Sequence, residues 1–281
     1  MRAQSSVRFV RELRAGLIGV TSTKLGLAFL VIMPLSYILL CSSVLQRSLI
    51  QLAAIPQAGI LDIESIRSDA LVAGDGIGQL LFAFFGAAVF LQQHVSGARR
   101  LELLATPDRL LHMISKFTMI AITSTVVVVV ALIVNALQTY VTLSTGHYSL
   151  QVISDSILWH LWVTPLALSS CALIGYAMAS ILGSWGKALF SLLSLFVFTK
   201  AIFGSALVIS NNDFALAIYN LNWAFPSVGV TDKWLGPNAQ MSQYINLAQL
   251  QLSPGQNLAV LLGWTVISVI AAVFVGLRRA A

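Results

Sequence analysis

The stretch Gly183-Ser184-Trp185-Gly186-Lys187-Ala188 is the nearest this sequence comes to a phosphate-binding loop. Such a loop needs a longer glycine spacing and a hydroxyl after the lysine to reach Mg2+; here alanine follows. Nucleotide chemistry is therefore not built into this chain. His94, His112, His147 and His160 are scattered, with no H-E-x-x-H and no Cys/His set spaced for zinc. Ser169 and Ser170 follow His160 by more than two helical turns, too far for a serine–histidine pair, and read as helix-packing serines. A proton-driven carrier usually relies on an intramembrane Asp, Glu or His. His160 is the one candidate, and beside Trp159 and Trp162 it reads as an interfacial residue. Cys41 and Cys171 are far apart and read as small apolar packing residues, not as a disulfide.

The elements that would position any chemistry are apolar runs. Six are legible: Leu25–Gln46, Ile77–Gln93, Phe117–Leu137, Ile157–Leu182, Ala188–Ile209 and Leu258–Leu277. Each is close to the roughly 20 residues that cross a bilayer core as a helix. The composition agrees, with 58% hydrophobic residues, 9% charged residues and a mean hydropathy of +0.87 over 281 residues. None of the ten acidic residues is placed inside a span; Asp75 falls in the polar segment Arg47–Gly76.

The net charge of +6 and pI near 9.6 follow membrane topology and not nucleic-acid binding. Arg2, Arg8, Arg11, Arg14, Lys24, Arg99, Arg100, Arg109, Lys116, Lys187, Arg278 and Arg279 lie in or beside segments on one side. The other side holds Asp62, Glu64, Asp69, Asp75, Asp155, Asp213 and Asp232 against Arg47, Arg67 and Lys233. Basic short loops stay inside, so both termini are expected to be cytoplasmic. The first run is too long for a signal-peptide core and lacks a small-x-small cleavage site.

Residues 5–22 form an amphipathic helix for the cytoplasmic interface, with Val7, Val10, Leu13, Leu17 and Ile18 as its stripe and Arg8, Arg11, Glu12 and Arg14 off it. Pro34 and Pro165 predict kinks. In the connector after the second run, Leu101, Leu104 and Ala105 share a helical face. Thr106 then suits an N-cap and Pro107 a first helical position, so a second helix starts there and runs into the third span. A crosswise helix joined stiffly to a span can transmit a push from a cytoplasmic partner. The aromatic-rich segment 213–252 predicts helices in or on the outer leaflet, anchored by Trp223 and Trp234. Ser253-Pro254-Gly255-Gln256 is a capping-box start for the last span.

These features resemble the membrane subunit of a type-two ATP-binding-cassette (ABC) exporter, the class that includes drug, antibiotic, peptide and polysaccharide exporters. Gly97…Leu103-Leu104-Ala105-Thr106-Pro107-Asp108-Arg109…Lys116 is similar to the family's connector after span two, and Asn222 and Pro226 lie where its external helices precede span six. Gln93 and His94 stand where the family often carries a glutamate. The resemblance implies one all-α permease domain over 1–281, in a bacterial inner membrane, with six spans and cytoplasmic termini. It implies a coupling helix at 97–106 in which Gly97, Arg99, Arg100, Leu101, Leu104, Thr106 and Pro107 meet a separate ATPase. It further implies two such ATPases holding ATP and Mg2+, and a second permease, identical or homologous, completing the pathway. The chain itself would be no enzyme and would carry no cofactor. A secondary carrier or channel, and more remotely an intramembrane enzyme, are the competing readings. Lys200 is the one basic residue expected within a span. It either snorkels to the outer headgroups or faces the pathway, where it would meet an anionic part of the substrate.

Overall fold

The computed structural model describes residues 2–53, 74–95, 109–145, 155–198 and 254–278. The connector 97–106, the segment 213–252 and Lys200 lie outside the described residues. Within them the chain is all-helical: α1 Arg2–Ser22, α2 Lys24–Ala53, α3 Asp75–Val95, α4 Arg109–Thr145, α5 Asp155–Leu182, α6 Trp185–Leu193 and α7 Pro254–Arg278. Four helices are long and apolar enough to cross a membrane, over Lys24–Arg47, Leu110–Thr145, Leu158–Leu182 and Gly255–Arg278. The apolar parts of α3 and α6 are shorter, Ile77–Gln92 and Trp185–Val197. The final turn of the latter widens into a π-turn at Ser194–Phe198.

Local chemistry explains the boundaries. Thr23 is the N-cap of α2: its hydroxyl oxygen accepts from the Gly26 amide at 3.2 Å, while its carbonyl accepts from the Leu27 amide at 2.9 Å. A Cβ at Gly26 would overlap the Val20 carbonyl oxygen, so the chain can turn from α1 into α2 there only without a side chain. The Gly183-Ser184 pair, loop-like in sequence, is a helix stop. Gly183 has φ 68° and its amide bonds to the Ala179 carbonyl at 2.8 Å, after which Ser184 is extended and α6 begins. Helix α7 starts at Pro254, as the capping pattern predicts. Pro34 and Pro165 both lie inside continuous helices.

The core is the packing of α3 on α5. About 72% of the apolar window of α5 is buried against 17% for α7, so α5 is central and α7 peripheral. Small residues allow the close approach. A Cβ at Gly86 would overlap the Ala172 carbonyl oxygen, and one at Gly175 would overlap that of Ala83. Below this contact, Tyr176 packs edge-on against Phe90 and Phe117, at centroid distances of 5.4 and 5.1 Å. Contacts in increasing order along both chains (Gly78 with Leu168, Phe90 with Tyr176) make α3 and α5 parallel.

One end of the bundle gathers the described basic residues other than Arg47. Thr23 at the start of α2 donates to Gln92 near the end of α3 at 3.2 Å, and Met113 near the start of α4 lies against Gly276 near the end of α7. That end therefore carries Lys24, Lys116, Lys187, Arg278 and the α1 arginines. This clustering matches the grouping expected from the sequence.

Candidate functional site

The structure corrects the placement of Asp75. It is not a loop residue but the first residue of α3, 7% exposed, with Oδ1 accepting from the Tyr37 hydroxyl at 2.9 Å. Tyr37 lies thirteen residues after Lys24, about 20 Å along α2, or roughly two-thirds of the way across a ~30 Å hydrocarbon core. A carboxyl group therefore sits against the stretch of α2 that is long and apolar enough to cross a membrane. The approach depends on glycine: a Cβ at Gly74 would strike the Tyr37 ring at 2.5 Å, and one at Gly78 would meet Leu168 at 3.1 Å.

Around this pair lies a layer of buried polar groups. One turn beyond Tyr37, the Cys41 thiol makes hydrogen bonds with the Gly74 backbone and the Asn135 side chain. Ser42 accepts from the Gln138 amide at 2.6 Å, joining α2 to α4. The hydroxyls of Thr125 and Ser169 meet at 2.8 Å and fix the level of α4 against α5. Asn135 is ten residues beyond Thr125 and His160 nine residues before Ser169, so on these opposed helices both lie about 14–15 Å toward the far end, at one level. Asn135, Thr139 and His160 are buried, and neither Thr139 Oγ1 nor His160 Nδ1 has a hydrogen-bond partner among the described residues.

His160 is thus turned inward at 2% exposure, whereas Trp162 is 75% exposed; the interfacial reading of His160 gives way to a core position. Ser169 and Ser170 are packing serines as expected, Ser170 bonding the Leu166 carbonyl at 2.8 Å. Both cysteines are buried, and neither is in a disulfide among the described residues. No group of three His, Cys, Asp or Glu among the described residues could hold a metal ion. The layer offers proton and hydrogen-bond chemistry.

A second cluster occupies the basic end. Along α1, Glu12, Leu13, Gly16, Leu17 and Val20 are buried or half-buried, while Val7, Val10 and Ile18 are exposed. Glu12 is not on a solvent face as the stripe suggests. Its Oε2 lies 3.1 Å from His112 Nδ1 on α4, and Gly16 faces Met119 of the same helix. Lys116, one turn beyond His112, is 2% exposed. This clasp ties the amphipathic helix to the inner turns of α4. Glu12→Ala is expected to cost about 0.5–1 kcal/mol of stability, since the pair is only partly buried. A double-mutant cycle with His112→Ala checks this, and additive losses would show that the pair carries no coupling.

Of the residues expected to do the coupling, Gly97, Arg99, Arg100, Leu101, Leu104, Thr106 and Pro107, none is described, and the same holds for Lys200. Sequence reasoning missed Asp75 because Gly74-Asp75-Gly76 reads as a turn. The available signal was the Gly74/Gly78 spacing, one helical turn, which marks a helix approached closely on one face. Comparison with family models, with curated proteins and with solved structures found no match.

Proposed function

We propose that this chain is the permease subunit of an ATP-driven ABC exporter, with six spans, cytoplasmic termini and a bacterial inner-membrane location. It pairs with a second permease, identical or homologous, to form the translocation pathway, and the resemblance points to drug- or peptide-like substrates. Two separate ATPases dock beneath the membrane and hold ATP and Mg2+. The observation that carries this reading is the clasp of α1 on α4. Helix α4 is 37 residues long, about 55 Å, and begins directly after the connector in which a partner would push. Glu12, His112 and Met119 join the interfacial helix to that same lever, so connector and α1 can move α4 together.

The buried Asp75 favours one alternative, a secondary carrier, because intramembrane carboxylates recur in ion-coupled transport. The two readings separate in one preparation. The tagged chain, solubilised from its own membrane, is expected to carry an ATPase in stoichiometric amount whose hydrolysis depends on the complex. A chain that purifies alone and drives uptake into vesicles with an ion gradient would overturn the exporter reading.

A further inference from the structure

We propose that Asp75 is a proton-exchange site, a carboxyl group that takes up and releases one proton across the far face of the bundle. The reasoning starts from its neighbours. The lysines and arginines of α2–α5 are Lys24, Arg47, Arg109 and Lys116. Lys116 lies at the basic end, and Arg47 is exposed, ten residues or about 15 Å along α2 from Tyr37. Among the described side chains of these helices, no basic group stands beside the carboxylate. Among the described residues, the groups facing it are Tyr37 and Cys41 from α2, with Cys171 of α5 in electrostatic range and the uncharged Asn135 from α4 next to Cys41. A buried carboxylate anion without a cation is costly, whereas a carboxylic acid is a small polar group whose needs one or two hydrogen bonds meet.

Geometry favours a proton over a larger occupant. Tyr37 covers one oxygen of Asp75, its ring lies against Gly74, and Leu168 lies against Gly78. The buried polar groups Asn135, Thr139 and His160 continue toward the far end, one to two turns beyond Asp75 by helical rise. They include two polar atoms without partners among the described residues, Thr139 Oγ1 and His160 Nδ1, which water entering from that end would satisfy. The step balances simply. Hydronium from far-face water gives its proton to the Asp75 carboxylate, leaving a carboxylic acid and water, and release reverses this. Tyr37 donates its hydrogen bond in both states and positions the group without itself exchanging.

Infrared difference spectroscopy on the full chain, purified and reconstituted in phosphatidylcholine vesicles, tests this. The expected wild-type result is a carboxylic-acid band that disappears as the pH is raised, is absent in Asp75→Asn and is displaced in frequency in Tyr37→Phe. Tyr37→Phe keeps the ring against Gly74 and serves if Asp75→Asn does not fold. Three results would overturn the proposal: no such band at any pH, a band indifferent to pH, or a pH-sensitive band unchanged by both variants. Proton exchange at Asp75 does not depend on whether an ATPase docks at the connector, so the two readings fail separately.

Discussion

Gly175→Val is expected to destroy the folded bundle, with loss of the monodisperse peak in detergent and a stability cost of about 3 kcal/mol or more. The reason is that nothing soft stands in the way. The added Cβ would enter the carbonyl oxygen of Ala83, a backbone atom of α3, and the two methyls of valine would follow it. The helices cannot separate cheaply, because Gly86 meets the Ala172 carbonyl in the reciprocal contact and the Phe90–Tyr176–Phe117 aromatic group holds the next turn. Gly263→Val on α7 is the control, since a Cβ there meets nothing within 4 Å among the described residues. Comparing thermal midpoints of the two variants in the same detergent checks this. A Gly175→Val protein as stable as the Gly263→Val protein would show that the α3–α5 contact does not organise the fold.

The fate of individual residues shows what the sequence carries and what it leaves open. Apolar runs and caps were legible because bilayer thickness and backbone hydrogen bonding act locally. The helix starting at Pro254 and the amphipathic helix over 5–22, seen as Arg2–Ser22, follow from those rules. The faces were less legible. Lipid tails and protein cores are equally apolar, so the stripe Val7, Val10, Leu13, Leu17 and Ile18 could not reveal which part meets lipid. Gly16, not the stripe, decides that Glu12 and Leu17 turn toward α4. Asp75 was hidden for a related reason. A polar residue between glycines has the composition of a turn, and only a partner from a distant helix, Tyr37, makes it a core group. His160 beside two tryptophans likewise reads as a belt residue until α4 and α5 are set in register by Thr125 and Ser169. In each case the deciding information is long-range, a contact between helices far apart in sequence.

Leu104→Asp is expected to abolish coupling while leaving the permease folded. The effect rests on the coupling assignment and on two physical points. Leu101 and Leu104 recur at helical spacing, with Arg99 and Arg100 beside them, which gives an apolar knob with a charged rim. An aspartate at the centre of a desolvated contact carries an unpaired charge into it, a loss of at least about 2 kcal/mol, or roughly thirtyfold in affinity. Leu104 precedes His112 by eight residues along the chain, and His112 is the residue through which α4 is joined to Glu12 of α1. Loss of the partner's grip on the knob therefore uncouples ATP hydrolysis from movement of α4, although α3, α5 and α7 are untouched. Pro107→Ala is the graded companion, since alanine also suits the first helical turn, and it should weaken coupling far less. The measurements are ATPase recovery with the tagged permease and transport in reconstituted vesicles, with the thermal midpoint of the permease alone as the check on folding. Leu104→Asp with wild-type ATPase recovery and transport would remove the connector from the docking surface. A lowered thermal midpoint would instead place Leu104 in the permease's own core.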